Sequence, residues 1–285
     1  MTASSLIRRR DWHPRHPLDL SNTRVLSSIP GVEAIIKSLV SPVAEEALFM
    51  EQISSSILVG PSQLPQLHAR LLRAAAVLGV RAPELYIKQA PRPNAYTLAV
   101  NGRKPIIVVH TALLELLDEA EVEAVLAHEL GHLKCDHGIW LTAANALAAA
   151  GSLPGVPSFV EASIDAALLR WFRAAELSCD RAALLVAGEP RVVMSVLMKL
   201  AGGTPRLASQ LNVDAFLAQS RALDAAASSS ALGWYLSQTQ TRGLSHPLPV
   251  ARAQELDRWA VSAQCLRLLQ QVAASSQQAA LKAAA

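Results

Sequence analysis

The 285-residue sequence has little of what marks secreted or nucleic-acid-binding proteins. Its three cysteines, Cys135, Cys179 and Cys265, are too few and too far apart for a disulfide framework, so we expect an intracellular, reducing compartment. Aromatic residues make up only 4% of the chain, and the net charge is +3. The basic residues are scattered rather than gathered with aromatics into a stripe, which argues against a nucleic-acid partner.

The sequence also shows neither the pattern expected of a secretory leader nor a clear membrane-spanning run. Arginines occur near the start, in MTASSLIRRR, before any long apolar stretch, which argues against a signal peptide. Residues 138–160 carry no charge, but Pro154, Gly155 and Pro157 interrupt them, and a spanning helix needs roughly 20 consecutive apolar residues. We therefore expect an apolar hairpin or a membrane-dipping insertion here. This feature favours membrane-surface association over a fully soluble protein.

What the sequence does contain is helical periodicity around one short β-rich stretch. Hydrophobic residues make up 51% of the chain, enough for a substantial core. Three short β-rich runs surround Asn101-Gly102, a strong hairpin signal. The sequence thus predicts a mainly α protein with a small antiparallel β-sheet, of the α+β class. We expect a single domain over residues 42–272, after a partly disordered N-terminal arm (1–41) and before a disordered tail (273–285).

Two histidines stand four residues apart in VLAHELGHLKCDH, residues 125–137, and a glutamate follows the first. On a helix they project from nearly the same face, so His128 and His132 can direct ring nitrogens at one metal ion. Glu129 lies about 100° around the helix from His128 and can act as a general base on metal-activated water. The motif alone leaves a catalytic site and an ordinary helix both open, and His137 gains no role from it.

A third metal ligand is needed, and Glu176 in RAAELSCDRAALLVAG is the candidate. A carboxylate added to two histidines leaves the fourth zinc position open, as in catalytic sites. Asp180, one turn later on the same face, can accept a hydrogen bond from a ligand histidine. The alternative is an exposed acidic face flanked by Arg173 and Arg181. Gly131, which has no side chain, would let another element approach the motif helix closely.

Five motifs occur in a recognisable order: NAYTLAV, IIVVHTALLELL, AVLAHELGHL, AAELSCDRAAL and SHPLPVAR. Over residues 67–256 they resemble the zinc metallopeptidases of peptidase family M48, which includes HtpX-type heat-shock proteases and prenyl-protein endoproteases. The resemblance implies a gluzincin-type fold with an active-site helix and an edge strand. It implies one Zn²⁺ per chain, with Glu129 as catalytic base, Asp180 as orienting aspartate and these ligands: His128, His132 and Glu176. The chain is expected to be a short member without clear transmembrane spans.

The same resemblance implies roles for three further residues. His246 and Arg252, in SHPLPVAR, match a histidine and an arginine that line the cleft, where a histidine can stabilise the oxyanion of the reaction. Asn94 matches an asparagine near the edge strand with which an extended peptide substrate pairs. The alternatives are a surface histidine that caps a turn before Pro247 and a plain turn residue at Asn94.

The sequence therefore predicts a zinc-dependent metalloendopeptidase that acts on protein or peptide substrates. Quality-control or processing proteolysis at or near a membrane is the expected setting, and the oligomeric state is not predicted. One alternative is a catalytically idle peptide-binding or membrane-associated scaffold, and another is a zinc hydrolase for a non-peptide amide. The presence of the base, all three ligands and Asp180 favours the enzyme, since a scaffold needs no base.

Overall fold

A computed structural model of the chain describes the following residues: 14–29, 42–98, 104–138, 140–141, 158–229 and 248–284. The fold is mainly helical with a small sheet, which confirms the predicted class. In chain order the helices are α1 (Pro17–Ser28), α2 (Pro42–Ser55), α3 (Pro65–Leu78), α4 (Thr111–Leu116), α5 (Glu119–Lys134), α6 (Ser158–Ala187), α7 (Pro190–Gly202), α8 (Val213–Ser229), α9 (Pro249–Ala260) and α10 (Ala263–Ala284). The strands are β1 (Ile57–Leu58), β2 (Glu84–Lys88), β3 (Ala95–Leu98) and β4 (Ile106–His110).

The sheet has the strand order β1-β2-β4-β3 and is mixed rather than wholly antiparallel. β3 and β4 pair antiparallel, as expected. β1, which the sequence did not predict, pairs antiparallel with β2, but β2 and β4 run parallel. The reason is the apolar run Ile106–Val109, which is completely buried. Such a run suits a strand covered on both faces, so β4 takes a central position and β3 becomes the edge strand. The predicted Asn101-Gly102 turn lies outside the described residues.

Helix α5 is the central element of the domain. It begins at a capping box, in which Asp118 accepts hydrogen bonds from two backbone N–H groups and Glu121 accepts one from the Asp118 N–H. Most of its side chains are buried, because α3, α6, α7 and β3 pack around it. A β-carbon built at Gly131 would lie 3.0 Å from Cα of Cys179 on α6. The absent side chain therefore permits the close helix contact that the sequence predicts.

The segments at both ends of the predicted domain also contain helices. α1 packs on α6, and its Leu26 is buried with Trp140 and Trp171 in a cluster separate from the main core. α10 continues to Ala284, while the predicted domain limits stay a prediction. Most of the predicted insertion at 138–160 lies outside the described residues. Within the parts of the chain that are described, no helix combines the length and apolar character needed to cross a membrane.

Candidate active site

Two histidines of α5 and a glutamate of α6 converge in the interior. The Nε2 atoms of His128 and His132 lie 3.5 and 3.4 Å from the two oxygens of the Glu176 carboxylate. The two imidazole rings are 5.4 Å apart between centroids, as expected for residues one helical turn apart. All three side chains are buried. The structure thus brings together the three residues that the sequence predicts as metal ligands.

Asp180 and Arg252 surround this centre. Asp180 Oδ1 lies 3.1 Å from Nδ1 of His128, and because a carboxylate only accepts, the His128 Nδ1–H donates. A proton on Nδ1 leaves Nε2 as the ligand atom of that ring. Arg252 of α9 donates to Asp180 from Nε over 2.8 Å and from Nη2 over 2.6 Å, and its Nη1 lies 2.8 Å from Glu176 Oε2. The contact predicted for an orienting aspartate is therefore present.

The centre carries an excess of buried negative charge. Around the histidines, in the described part of the chain, the carboxylates of Glu129, Glu176 and Asp180 outnumber the guanidinium of Arg252. Burial alone would lower the pKa of His128, but Glu176 and Asp180 outweigh burial and raise the pKa to about 10. The centre thus favours positive charge and offers two imidazole nitrogens and one carboxylate. These donors match those of a catalytic zinc site.

Glu129 lies beside the two histidines and faces β3. Its Oε2 accepts a hydrogen bond of 2.7 Å from the hydroxyl of Thr97. Among the described residues, no second strand flanks β3 on its open side. Asn94 immediately precedes β3, and its carbonyl accepts a hydrogen bond of 2.9 Å from the backbone N–H of His110. The candidate general base is thus tied to the strand at which the sequence predicts peptide binding.

A pocket adjoins these groups. Asn94, His128, Glu129, Asp180 and Arg252 form the polar part of its lining. Most of the remaining lining is apolar and comes from α4, α5 and α7, including Leu113, Val125, Val193, Val196, Leu197 and Leu200. The polar groups of the site thus adjoin an apolar surface.

His132 is anchored through His137, for which the sequence predicts no role. The Nδ1 atoms of the two rings are 3.1 Å apart, and Nε2 of His137 lies 3.0 Å from Oδ2 of Asp19. Helix α5 ends in a Schellman-type cap, in which the His137 N–H donates to the His132 carbonyl over 3.0 Å. Asp136 supplies the left-handed residue of that cap, with φ of 56°. The cap folds the chain back and brings His137 against His132.

Asp19 of α1 is completely buried against α6. Its Oδ2 accepts a hydrogen bond of 2.7 Å from Ser178 and lies 3.1 Å from Nε of Arg15, and its Oδ1 accepts one of 3.1 Å from Thr23. Burial alone would raise the pKa of Asp19, but its contacts with His137, Ser178 and Arg15 hold the pKa well below its usual value. Burial lowers the pKa of His137 to about 4. Asp19 is therefore ionised and accepts hydrogen bonds from the side chains of His137, Ser178, Arg15 and Thr23.

Cysteine sulfurs also lie near these histidines. Two clusters of potential metal-ligand atoms contain a sulfur, and within each cluster the atoms lie within 4.8 Å of one another. One cluster consists of Cys179, His128 and His132, and the other of Cys135, Asp19 and His137. Burial raises the pKa of both thiols. The Glu176 carboxylate faces the Nε2 atoms of both α5 histidines, at 3.5 and 3.4 Å, and is therefore the better third donor for them.

The remaining predicted residue, His246, lies outside the described residues, so its place in the cleft stays a prediction. Sequence reasoning missed three residues of the site. Thr97 contacts the base, His137 contacts His132, and Asp19 contacts His137. For His137 a signal existed, because an aspartate directly before it is one of the few residue types that adopt the left-handed conformation at a helix end. No comparable pattern marks Thr97 or Asp19.

Comparisons with known proteins point to one family of peptidases. The sequence pattern of peptidase family M48 matches residues 61–260. Plastoglobule-localized metallopeptidase 48 from the chloroplast of Arabidopsis thaliana is 56% identical over 256 residues, which cover 90% of this chain and 74% of that protein. A protease HtpX homolog 2 of Methanosarcina mazei is 31% identical over 175 residues, 53% of this chain and 60% of that protein. A protease HtpX homolog of Moorella thermoacetica is 29% identical over 176 residues, 52% of this chain and 59% of that protein. The matched part of this chain thus spans about three fifths of each HtpX relative, and no solved structure matches it.

Proposed function

The chain belongs to peptidase family M48, and on that premise we propose that it is a zinc-dependent metalloendopeptidase that hydrolyses peptide bonds in protein substrates. One observation carries the proposal. His128 and His132 of α5 meet Glu176 of α6, and Glu129 lines the same pocket as His128. Hydrolysis at a zinc site requires this combination of three protein ligands, an open position and a neighbouring base.

In this proposal His128, His132 and Glu176 hold one zinc ion per chain. When bound, zinc supplies Lewis-acid chemistry, which polarises the peptide carbonyl and acidifies water. Asp180 keeps the proton of His128 on Nδ1, so that Nε2 can act as the ligand. Arg252 bridges Asp180 and Glu176 and holds both carboxylates in position. Its positive charge also offsets part of the negative charge that the ligand set buries.

Glu129 acts as the general base and then as the general acid. It takes the proton of the attacking water and delivers it to the leaving amine. Thr97 holds one carboxylate oxygen through its hydroxyl, which leaves the other free for the proton. The substrate pairs in extended form with the open side of β3, next to Asn94, through main-chain hydrogen bonds. His246 stabilises the oxyanion that develops on the scissile carbonyl.

The pocket beside Glu129 favours an apolar substrate side chain next to the scissile bond. Its lining from α7, which includes Val193 and Leu197, offers apolar surface and no charged group. Burying one more methylene of a substrate in such a pocket contributes roughly 0.8 kcal/mol. We expect cleavage next to leucine or valine to be preferred over cleavage next to a charged residue, and a peptide library with randomised flanking positions measures this preference directly.

We further propose that the enzyme carries out quality-control or processing proteolysis at a lipid surface. The name of the Arabidopsis relative places that protein at plastoglobules. In addition, four large apolar side chains on α1, α2 and β1 are 52–54% exposed: Leu18, Val25, Met50 and Ile57. In a flotation assay, the protein should rise with phosphatidylcholine vesicles. Complete retention in the dense fraction would contradict a lipid-surface location without affecting the proposed chemistry.

Zinc content and casein cleavage, measured on one purified sample, test the enzymatic proposal. The protein should contain about one zinc ion per chain and cleave labelled casein, and Glu176→Ala should lose both zinc and cleavage. Glu115→Ala, a change at an exposed glutamate of α4, is the matched control and should behave as wild type. Full zinc content in Glu176→Ala would sink the ligand assignment. Zinc without cleavage in wild type, on casein and on a peptide library, would favour the scaffold alternative.

A further inference from the structure

We propose that Asp19, at the start of α1, is a positioning residue for the zinc ligand His132 and acts on it through His137. The inference rests on the zinc site proposed above. Asp19 lies more than a hundred residues before both histidines in the chain, outside the segment that matches the family pattern. The structure nevertheless connects the three side chains in one buried line, from the Asp19 carboxylate to the His137 ring and on to the His132 ring.

The direction of each hydrogen bond follows from the chemistry of the groups. The Asp19 carboxylate only accepts, so Nε2 of His137 carries the proton of the 3.0 Å contact. A neutral His137 then has a lone pair at Nδ1. The 3.1 Å contact between the two Nδ1 atoms needs one N–H and one lone pair, so the proton lies on Nδ1 of His132. This arrangement makes Nε2, the atom that faces Glu176, the ligand atom of His132.

The other ligand histidine, His128, also carries a proton on Nδ1, and here the contact with an aspartate is direct. Asp180 accepts directly from Nδ1 of His128 over 3.1 Å. A buried aspartate therefore fixes the Nδ1 side of each α5 histidine. Asp180 contacts His128 directly, whereas Asp19 reaches His132 through the imidazole of His137. Such support of ligand histidines fixes the ring orientation and strengthens the ligand. Without Asp19, His137 would lose the group that determines which of its nitrogens carries the proton.

The surroundings of Asp19 are built to hold it in this position. Ser178, two residues after Glu176 on α6, donates to Oδ2 of Asp19 over 2.7 Å and accepts from the backbone N–H of His16 over 2.9 Å. Thr23 donates to Oδ1 and in turn accepts from the indole N–H of Trp171 over 3.0 Å. Asp19 is thus fixed to the helix that carries the third ligand. A helix that only covered the core would not need a buried carboxylate at this point.

Zinc affinity, measured by competition with a chelator, tests the inference. Asp19→Asn keeps the shape of the side chain but removes its charge, and we expect zinc to bind about 10- to 100-fold more weakly, the usual cost of losing support behind a ligand. Asn22→Ala is the matched control, because Asn22 lies on the same helix and ties α1 to α6 through the Arg170 carbonyl. It should bind zinc as tightly as wild type. Thermal unfolding of the metal-free proteins verifies that each variant is folded.

A second readout needs neither zinc nor activity. Nitrogen-15 NMR of the imidazole rings in the metal-free protein reports which nitrogen of His132 carries the proton. We expect a proton on Nδ1 of His132 in wild type and in Asn22→Ala, and a lower occupancy of that proton in Asp19→Asn. If Asp19→Asn does not fold, His137→Phe replaces it, since phenylalanine keeps a ring against Trp171 but removes both nitrogens. The expected loss of zinc affinity is the same.

Three outcomes would overturn the inference. Wild-type zinc affinity in folded Asp19→Asn, or in folded His137→Phe, would mean that His132 needs no support from α1. An equal loss in Asn22→Ala would mean that the docking of α1, rather than the carboxylate, matters. Failure of the wild-type protein to bind zinc would instead remove the proposed function, and the inference with it. The zinc content of the wild type therefore distinguishes the two failures.

Discussion

Replacing Gly131 by alanine tests how closely the zinc ligands depend on the contact between α5 and α6. The new methyl group would lie 3.0 Å from Cα of Cys179, 3.2 Å from its Sγ and 3.1 Å from Cβ of Ala182. Ordinary van der Waals contacts of a β-carbon start at 3.4 Å. The nearest of these atoms is backbone and cannot rotate away. The two helices must therefore move apart by a few tenths of an ångström.

Two opposing energies decide the size of the effect. Alanine gains about 1 kcal/mol over glycine in a helix interior, while extra volume in a packed core costs about 1–3 kcal/mol. Because the closest neighbour is backbone, we expect the steric cost to prevail and the metal-free protein to lose up to about 2 kcal/mol of its free energy of unfolding. Zinc affinity should fall as well, since α5 carries two ligands and α6 the third.

Urea unfolding of the metal-free protein, followed by circular dichroism, measures the first effect, and chelator competition measures the second. Gly202→Ala is the matched control, because a β-carbon at that helical position meets no atom within 4 Å. It should leave stability unchanged or raise it by up to about 1 kcal/mol, with zinc affinity unaffected. If Gly131→Ala matched Gly202→Ala in both measurements, the contact between α5 and α6 at Gly131 would not control stability or zinc affinity.

Three further predictions concern other parts of the site and the fold. Thr97→Val should lower kcat about tenfold with KM little changed, because it removes a hydrogen bond to the charged Glu129 that is worth roughly 1.5 kcal/mol. Unchanged steady-state kinetics would contradict this prediction. Arg252→Met should cost the metal-free protein about 3–5 kcal/mol in urea unfolding, because it leaves two buried carboxylates without their cation. The hydrogen bond from His16 lowers the pKa of Glu255 below 4.5. Thermal unfolding should therefore show Glu255→Gln to be less stable than wild type at neutral pH, with a difference that shrinks as the pH falls below about 4.5.

The part of the site that lies on α5 and α6 could be predicted because local rules determine it. A four-residue spacing sets the face of a helix, and side-chain chemistry identifies which groups on that face can bind a metal. The need for a third ligand then directs attention to Glu176, and the orienting aspartate follows at Asp180, one turn later. The structure brings these residues together, and also places Gly131 at a close contact between α5 and α6.

The part that could not be predicted depends on how distant segments pack. Nothing in the pattern around Asp19 indicates that α1 would lie against α6, because a short polar helix carries no mark of its partner. Thr97 points at Glu129 only because β4 takes the centre of the sheet and leaves β3 at the edge beside α5. The parallel pairing of β2 with β4 also follows from the central position of β4. Local sequence rules favoured antiparallel neighbours, and the burial of Ile106–Val109 overrode them.

Glu129→Gln shows whether the chain is a metallopeptidase with Glu129 as its base, because the substitution keeps the shape of the side chain but removes its ability to take a proton. Zinc content and casein cleavage are measured on the same purified sample, beside wild type. We expect wild-type zinc content with cleavage reduced at least about 100-fold, the usual contribution of a general base. If zinc-loaded Glu129→Gln cleaves casein at the wild-type rate, Glu129 is not the base.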